Sequence, residues 1–424
     1  MTALSAEARA AIEALRFEGP DPSFERWLES EAVACVDTSA ARYFGLPHGT
    51  VGAAATRGAA LAARLNPELA TRHHAPLLAA LEEQVARVLG DRLVGAEHHG
   101  VVTTGASEAN LVALLLACAA SSARFARDGL AALRGRPRVY VSSDVHPSVT
   151  KACRIAGFGD GAVRVVASDE HGVMIAEALA SVVGQDRARG HLPLVVVATF
   201  GTTTLGALDP VAALAEQGAR LGLWLHVDAA YGGALAFDAA TRPLAAALSL
   251  ADSVSFDPPK VFDVPLGAGL LYTRRPELLR AVFGVGARYL PRAGDEPFAT
   301  TPSWSRAPRL LPLAFALAAR GLAGLEVVVA RRRRLGEHLA SRLAARELTA
   351  LHRSPLPVVG LFDPRVPIGD RPRALAQAAA RAESVGAWLP LVRLPSGVAL
   401  LRAAINSEAT TEADVDALVD ALAG

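Results

Sequence analysis

Only two lysines occur among the 424 residues of the chain, Lys151 and Lys260, although lysine and arginine together number 43. Arginine therefore fills nearly every position at which a simple surface cation is sufficient. Lysine can lose its proton near neutral pH and attack a carbonyl to form a Schiff base, which arginine cannot do. Lys260 follows a β-rich run that ends in Asp257-Pro-Pro-Lys260. We interpret it as the candidate nucleophile; the alternative is a leftover surface lysine.

An aspartate and a histidine are candidates to assist this lysine. Asp228 closes a strand-like run and is followed by small residues, Ala229, Ala230 and Gly232, which leave room for a flat ring. A carboxylate there could keep a pyridine nitrogen protonated, and a protonated ring stabilises a carbanion on an attached carbon. The alternative is an aspartate that caps the next helix. His146 could stack on such a ring or transfer a proton, or it could be purely structural.

A candidate anion site lies at the start of a predicted helix. Gly105, Ala106 and Ser107 are small and lead directly into the apolar helix Leu111–Ala120. Backbone amides at a helix start can approach a phosphate closely, and the Ser107 hydroxyl is a further donor. The segment lacks the glycine spacing of a P-loop or a dinucleotide fingerprint. Ordinary helix capping is the alternative interpretation.

The elements that must position these residues alternate between strand-like and helical patterns. The strand-like runs are Arg138–Ser142, Val163–Val166, Leu194–Thr199, Leu223–Val227, Ser253–Phe256 and Ala268–Tyr272. This alternation favours βαβ units and a mainly parallel sheet buried on both faces. A long helical region follows from about Arg309, and two further strand candidates come after it. We predict an N-terminal helical arm (1–60), a large α/β domain (61–308) and a small C-terminal α+β domain (309–424).

Composition narrows the functional classes. The formal net charge is +1 with both signs interspersed, so we expect no nucleic-acid partner. Three scattered cysteines do not predict a disulfide framework or a metal site, and they favour a reducing cytoplasm. The first residues lack the layout of a secretory signal, and the longest apolar run, Leu111–Ala120, is too short to span a bilayer. We therefore expect a cytoplasmic protein without a membrane partner.

Taken together, these motifs resemble the pyridoxal-phosphate-dependent group II amino acid decarboxylases, from about Arg42 to the C-terminus. The resemblance implies the fold-type-I, PLP-dependent transferase-like α/β fold, the cofactor pyridoxal 5′-phosphate, and decarboxylation of an L-amino acid to its amine. It also implies a homodimer with active sites at the interface, in which the N-terminal arm wraps the partner. By this resemblance Lys260 binds the cofactor, Asp228 pairs with the pyridine nitrogen and His146 stacks on the ring. The remaining positions that match cofactor contacts are Gly105, Ala106, Ser107, Thr203 and Asp257.

Departures from the family pattern concern the reaction outcome. Pro259 replaces the histidine that usually precedes the cofactor lysine. In the loop that usually holds a proton-donating tyrosine, Tyr289 is the only tyrosine after Tyr272, and Phe298 falls roughly at the tyrosine's position. In relatives with phenylalanine there, decarboxylation can divert to oxidative deamination that gives an aldehyde. The aldehyde-forming reaction is therefore an alternative function.

The substrate and the reaction class have further alternatives. Ala79 stands where decarboxylases of aromatic amino acids have a side-chain hydroxyl, and the nearby Arg72 is basic. We therefore expect a small aliphatic or acidic amino acid, with Arg72, Ala79, Tyr289 and Phe298 as candidate substrate residues. An aminotransferase, with Arg402 on the substrate carboxylate, is one alternative. A carbon–carbon lyase and a relative that binds cofactor without turnover are the others.

Overall fold

A computed structural model describes residues 23–32, 35–47, 49–286 and 296–423, together with residues 6, 9, 10 and 12. Its larger sheet contains seven strands: β1 (His99–Thr103), β2 (Pro137–Val141), β3 (Val163–Val165), β4 (Leu192–Thr199), β5 (Trp224–Asp228), β6 (Ser253–Phe256) and β7 (Gly269–Thr273). Their spatial order is β1-β7-β6-β5-β4-β2-β3. The pairs from β3 to β6 are parallel, and β7 runs antiparallel to both of its neighbours. The predicted mainly parallel sheet is confirmed.

Helices cover this sheet and connect its strands. They are α1 (Phe24–Ala32), α2 (Ala53–Leu65), α3 (Pro76–Leu93), α4 (Ala106–Ser121), α5 (Phe125–Asp128), α6 (Pro147–Ile155), α7 (Leu179–Ala188), α8 (Val211–Leu221), α9 (Arg242–Ala245) and α10 (Glu277–Phe283). Alternate residues of β4 point to opposite faces, so Val195 and Val197 enter one apolar core while Val196 and Ala198 enter the other. Burial on both faces explains the continuous apolar run of this strand.

A second sheet forms the small C-terminal unit. Its elements are α11 (Leu311–Ala345), β8 (Thr349–Leu351), β9 (Val358–Phe362), α12 (Arg371–Ser384), β10 (Leu391–Arg393), β11 (Ala399–Ala404) and α13 (Glu412–Ala423). The four strands are antiparallel, in the order β10-β11-β9-β8. This unit matches the predicted small α+β domain in architecture. The predicted boundary at residues 308/309 stays a prediction.

Helix α11 connects the two units. It is broken at Gly321, whose φ of 65° lies in the left-handed region that glycine adopts without strain. Leu313 and Leu325 belong to the core of the large unit, whereas Leu335 and Leu339 belong to that of the small one. Within the described residues, α11 also contains an apolar window that could cross a membrane by length and composition. Core helices of folded proteins meet the same criterion, and α11 supplies side chains to both cores.

Candidate active site

The site lies at the carboxyl ends of the central parallel strands, where loops from several strands converge. A cavity of about 320 Å³ opens there. It is lined by Leu46, Pro47, Ala106, Ser107, His146, Ser148, Thr199, Gly201, Thr202, Thr203, Asp228, Ala230, Tyr231, Asp257, Lys260, Val358, Arg402 and Ala404. Ligands of open α/β sheets bind at such crevices. Six of the predicted cofactor residues thus share one cavity with Lys260, and Gly105 directly precedes Ala106.

Lys260 lies in a short 3₁₀ turn, Pro258–Lys260, just after β6. Two prolines fix the backbone of this turn, and the Lys260 N–H donates to the Asp257 carbonyl at 3.0 Å. The Nζ atom of Lys260 is 3.8 Å from Oδ2 of Asp257. Burial raises the pKa of Asp257, although the Lys260 charge opposes this rise. The turn therefore holds the candidate nucleophile just beyond the carboxyl end of β6.

Asp228 ends β5 and is a buried, fully hydrogen-bonded carboxylate. Its Oδ2 accepts from Asn110 Nδ2 at 2.8 Å, and its Oδ1 accepts from the Ala230 N–H and the Ser255 hydroxyl, both at 3.2 Å. Burial acts to raise the pKa of Asp228, but the Lys260 charge and the Asn110 hydrogen bond lower it, and its pKa lies below the ordinary value. Asp228 is therefore ionised at neutral pH and suited to hold a proton on a ring nitrogen.

His146 caps the start of α6. Its Nδ1 accepts the Ser148 backbone N–H at 3.2 Å and lies 2.7 Å from the Ser148 hydroxyl oxygen. Burial lowers the pKa of His146, so a neutral imidazole lines the cavity at pH 7. Since Nδ1 accepts, the neutral ring carries its hydrogen on Nε2.

The start of α4 provides a place for an anion. Ala106 and Ser107 open this 16-residue helix onto the cavity. The chain packs tightly here, because a Cβ atom on Gly269 would lie 2.5 Å from Gly105 Cα. Thr199 Oγ1 is buried and has no partner among the described residues, yet Thr199 lines the same cavity. Helix-start amides with neighbouring hydroxyl groups form a donor set suited to a phosphate.

Three of the predicted substrate residues lie away from this cavity. Arg72 forms an ion pair with Glu83, and Ala79 is buried within α3. Phe298 is 3% exposed and stacks on Trp304, with ring centroids 4.3 Å apart. None of these three substrate candidates lines the cavity around Lys260 in its own chain. Tyr289 lies outside the described residues.

Several cavity residues and their hydrogen-bond partners were not predicted from the sequence to have a cofactor role. Asn110 is buried beneath Asp228, and Tyr231 donates through its hydroxyl to Asn406 Oδ1 at 3.0 Å. Arg402, on β11, is 2% exposed and donates to the backbone oxygens of Thr203 and Gly45, each at 2.7 Å. Polar residues inside otherwise apolar helix and strand patterns were the available signal for Asn110 and Arg402.

Comparison with known proteins decides the family. Residues 36–356 match the family model described as the pyridoxal-dependent decarboxylase conserved domain, which covers most of the chain. The protein belongs to the pyridoxal-dependent decarboxylase family. The predicted family resemblance is thereby confirmed, and pyridoxal 5′-phosphate is the cofactor of this decarboxylase-family protein. The donor set at α4, the ionised Asp228 and the lysine at 260 fit its phosphate, ring nitrogen and carbonyl carbon.

Individual relatives refine this picture. The chain is 34% identical over 258 residues to the human (Homo sapiens) cysteine sulfinic acid decarboxylase, a match that covers 60% of this chain and 52% of that protein. It is 32% identical over 292 residues to the acidic amino acid decarboxylase GADL1 of Mus musculus, covering 67% of this chain and 52% of that protein. The matches thus span about half the length of these curated relatives. The apo crystal structure of mouse CSAD superposes with a TM-score of 0.90 at 26% identity, covering 99% of this chain and 92% of that chain.

Proposed function

We propose that this family member decarboxylates a small acidic L-amino acid and releases carbon dioxide and the corresponding amine. The observation that carries the proposal is Arg402, a buried cation at the wall of the cavity that contains Lys260. No carboxylate of the described residues forms an ion pair with Arg402. The names of the relatives, a cysteine sulfinic acid decarboxylase and an acidic amino acid decarboxylase, support the same substrate class.

The environment of Arg402 explains why an anion would bind there. Burial lowers the pKa of its guanidinium, which shows the desolvation that a buried cation experiences. Its two backbone acceptors carry no formal charge, and its Nε has no partner among the described residues. A buried charge is costly unless a counter-charge compensates it. A substrate carboxylate or sulfinate would supply that counter-charge and accept the remaining N–H groups.

Each residue of the site has a defined task in this reaction. When bound, pyridoxal phosphate supplies the electron sink for the pair of electrons released as the bond from Cα to the carboxylate breaks. Lys260 would hold the carbonyl carbon of the cofactor through its side-chain amine. Asp228 would hold the proton on the ring nitrogen, and the start of α4 would bind the phosphate. Arg402 would orient the substrate by its acidic side chain.

Charge-changing variants of Arg402 test the assignment. Carbon dioxide release should be measured with cysteine sulfinate and aspartate, and with alanine and asparagine as neutral controls. Arg402→Gln should reduce kcat/KM for the acidic substrates at least about 30-fold, equivalent to about 2 kcal/mol for hydrogen bonds to a charged group, and leave the neutral ones within about threefold. Arg402→Lys should retain part of the acid preference. Equal losses for acidic and neutral substrates would place Arg402 on the α-carboxylate, as in an aminotransferase, and refute the assignment.

The aldehyde-forming alternative is tested in the same reactions. The proposal requires one amine per carbon dioxide and no oxygen uptake. An oxygen electrode and quantification of the amine give both values. Oxygen consumption in step with carbon dioxide release would favour the aldehyde product.

We further propose a cytoplasmic homodimer. The family resemblance, which implies active sites at a subunit interface, supports a second copy of the chain as the partner. Light scattering of the purified protein should give twice the chain mass of 44.0 kDa. A mass of one chain would refute the dimer, and fractionation of the source cells tests the compartment.

A further inference from the structure

Asn110, on α4, joins Asp228 on β5 to Ser148, which lies beside His146. It lies on α4 three residues after Ser107, hence on the same helix face, and is 1% exposed. Its amide nitrogen donates to Asp228 Oδ2 at 2.8 Å and to Ser148 Oγ at 3.0 Å. One carboxamide therefore contacts both the ionised aspartate and the serine beside His146.

The orientation of this amide follows from its partners. The Asn110 oxygen lies 2.9 Å from His226 Nε2. If the Asn110 amide were flipped, its oxygen would face the Asp228 carboxylate, and two hydrogen-bond acceptors would be in contact. Neutral His226 must then carry its hydrogen on Nε2, while its Nδ1 accepts from the Ser253 hydroxyl at 2.9 Å. Burial lowers the pKa of His226 to about 4, so it is neutral near pH 7.

The strand registers build the rest of this chain of hydrogen bonds. Trp224, His226 and Asp228 alternate along β5 and share a face, and His226 pairs directly with Ser253 on β6. Trp224 Nε1 donates to the Ser253 hydroxyl oxygen at 2.8 Å, which ends the chain. All of these side chains belong to buried residues. Leaving a buried polar group without its partner is unfavourable, so each member depends on the others.

At the other end the chain reaches His146. The Ser148 oxygen accepts from Asn110, so the Ser148 hydroxyl directs its own hydrogen to His146 Nδ1, 2.7 Å away. This bond adds to the backbone N–H that already holds the same ring nitrogen. The hydrogen bonds thus run without a break from Trp224 through Asn110 to His146.

We infer that Asn110 is a positioning residue, which ties Asp228 to His146 and keeps Asp228 a charged acceptor for the ring nitrogen of the cofactor. The inference concerns the family's cofactor and does not depend on the substrate proposed above. In the described part of the chain, the titratable groups that face Asp228 are Lys260, His226, His146 and Asp257. His226 and His146 are neutral at pH 7, and the cofactor engages the amine of Lys260. In the loaded protein the neutral donor Asn110 therefore stabilises the charge of Asp228, together with the Ala230 N–H and the Ser255 hydroxyl.

Asn110→Asp provides a test that preserves side-chain shape. It replaces the amide donor with a carboxylate against Asp228, and two buried carboxylates in contact cannot both ionise. At low pH the protonated Asp side chain can still donate to Asp228, whereas at high pH it repels it. Pyridoxal phosphate should be titrated into the cofactor-free full chain between pH 6 and 8.5, with the dissociation constant read from absorbance. The dissociation constant of the variant divided by that of the wild type should rise from below about threefold at pH 6 to at least about tenfold at pH 8.5.

Two further variants keep the test decisive. Asn110→Ser removes the contact with Asp228 without adding charge, so it should raise the dissociation constant of the cofactor by a factor that does not change with pH. Ser148→Ala interrupts only the branch to His146 and should likewise show no dependence of the ratio on pH. The inference is overturned if Asn110→Asp gives a constant ratio, or if Asn110→Ser binds as the wild type does. A drop in the melting temperature of the cofactor-free variants with unchanged affinity would show a merely structural role and overturn it equally.

Discussion

Replacing Asp263 by asparagine should loosen the turn that carries Lys260. Asp263 lies three residues after Lys260, is 2% exposed and has a left-handed φ of 55°. Its carboxylate accepts from Arg332 Nη2 and, at 3.2 Å, from Arg320 Nη1. Arg332 also donates to the Val261 carbonyl at 2.6 Å. This ion pair thereby fastens the segment after the nucleophile to helix α11.

The expected magnitude follows from the burial of both partners. Arg332 is only 4% exposed, so Asp263→Asn leaves its charge uncompensated in the core. Breaking a buried pair by removing one partner costs about 3–5 kcal/mol of unfolding free energy. Since 1 kcal/mol shifts the melting temperature of a large domain by about 2–4 °C, the melting temperature should fall by roughly 6–20 °C.

A surface pair in the same chain is the matched control. Arg365 Nε lies 2.9 Å from Asp363 Oδ1, but the Arg365 side chain is 60% exposed. Exposed pairs contribute about 0–1 kcal/mol, so Asp363→Asn should lower the melting temperature by less than about 4 °C. Calorimetry of both variants with bound cofactor measures the difference. Equal melting temperatures would refute the assignment of the Asp263 pair as a stabilising clamp.

Three more predictions address the nucleophile, a buried base and the thiols. Lys260→Ala and Lys260→Arg should both lose the visible absorption of bound cofactor and all decarboxylation, because arginine keeps the charge but not the reactive amine. The pKa of His226 is lowered to about 4 in the folded chain, so the unfolded chain binds a proton at this histidine at higher pH, and stability is lost as pH falls from 6.5 toward 4. His226→Gln should remove up to about 3 kcal/mol of that loss, measured by denaturant titrations at several pH values. A thiol reagent should label Cys35 at once in the native protein but Cys118 and Cys153 only after denaturation, since both are buried and burial raises their thiol pKa to about 12.

Local sequence patterns predicted the central strands well and an edge strand poorly. The apolar run Leu194–Thr199 became β4, because burial on both faces demands continuous apolar residues. Strand β1 was not predicted, since His99–Thr103 contains a glycine and only two valines. Its pairing with β7 determines its conformation, and Gly100 fits there because a Cβ atom would lie 2.8 Å from the Tyr272 ring. Such tertiary constraints leave no local signature.

Those site residues that lie at the ends of strands and helices could be predicted from the sequence. Asp228 ends β5, while Lys260 and His146 follow β6 and β2, and the parallel sheet brings these strand ends to one cavity. Their contacts with the cofactor stay predictions. Asn110 was not predicted, because its hydrogen-bond partners follow from the packing of α4 over β5; a polar residue in an apolar helix pattern was the available signal. Phe298 was predicted as a substrate residue by alignment to a family position, but such an alignment could not establish that its ring packs on Trp304.

The residues on the two sides of the cavity are held by different means, which under the proposed function separates cofactor binding from substrate choice. Asp228 and Asn110 are fixed inside the core of the large unit, by hydrogen bonds between α4 and β5. Arg402 instead comes from β11 of the small unit and donates to Thr203 of the large unit and to Gly45 near the N-terminus. A small shift between the units would therefore move Arg402 relative to Lys260 while leaving Asp228 in place. Changes in substrate preference should arise from substitutions at this junction, and changes in cofactor affinity from substitutions beneath Asp228.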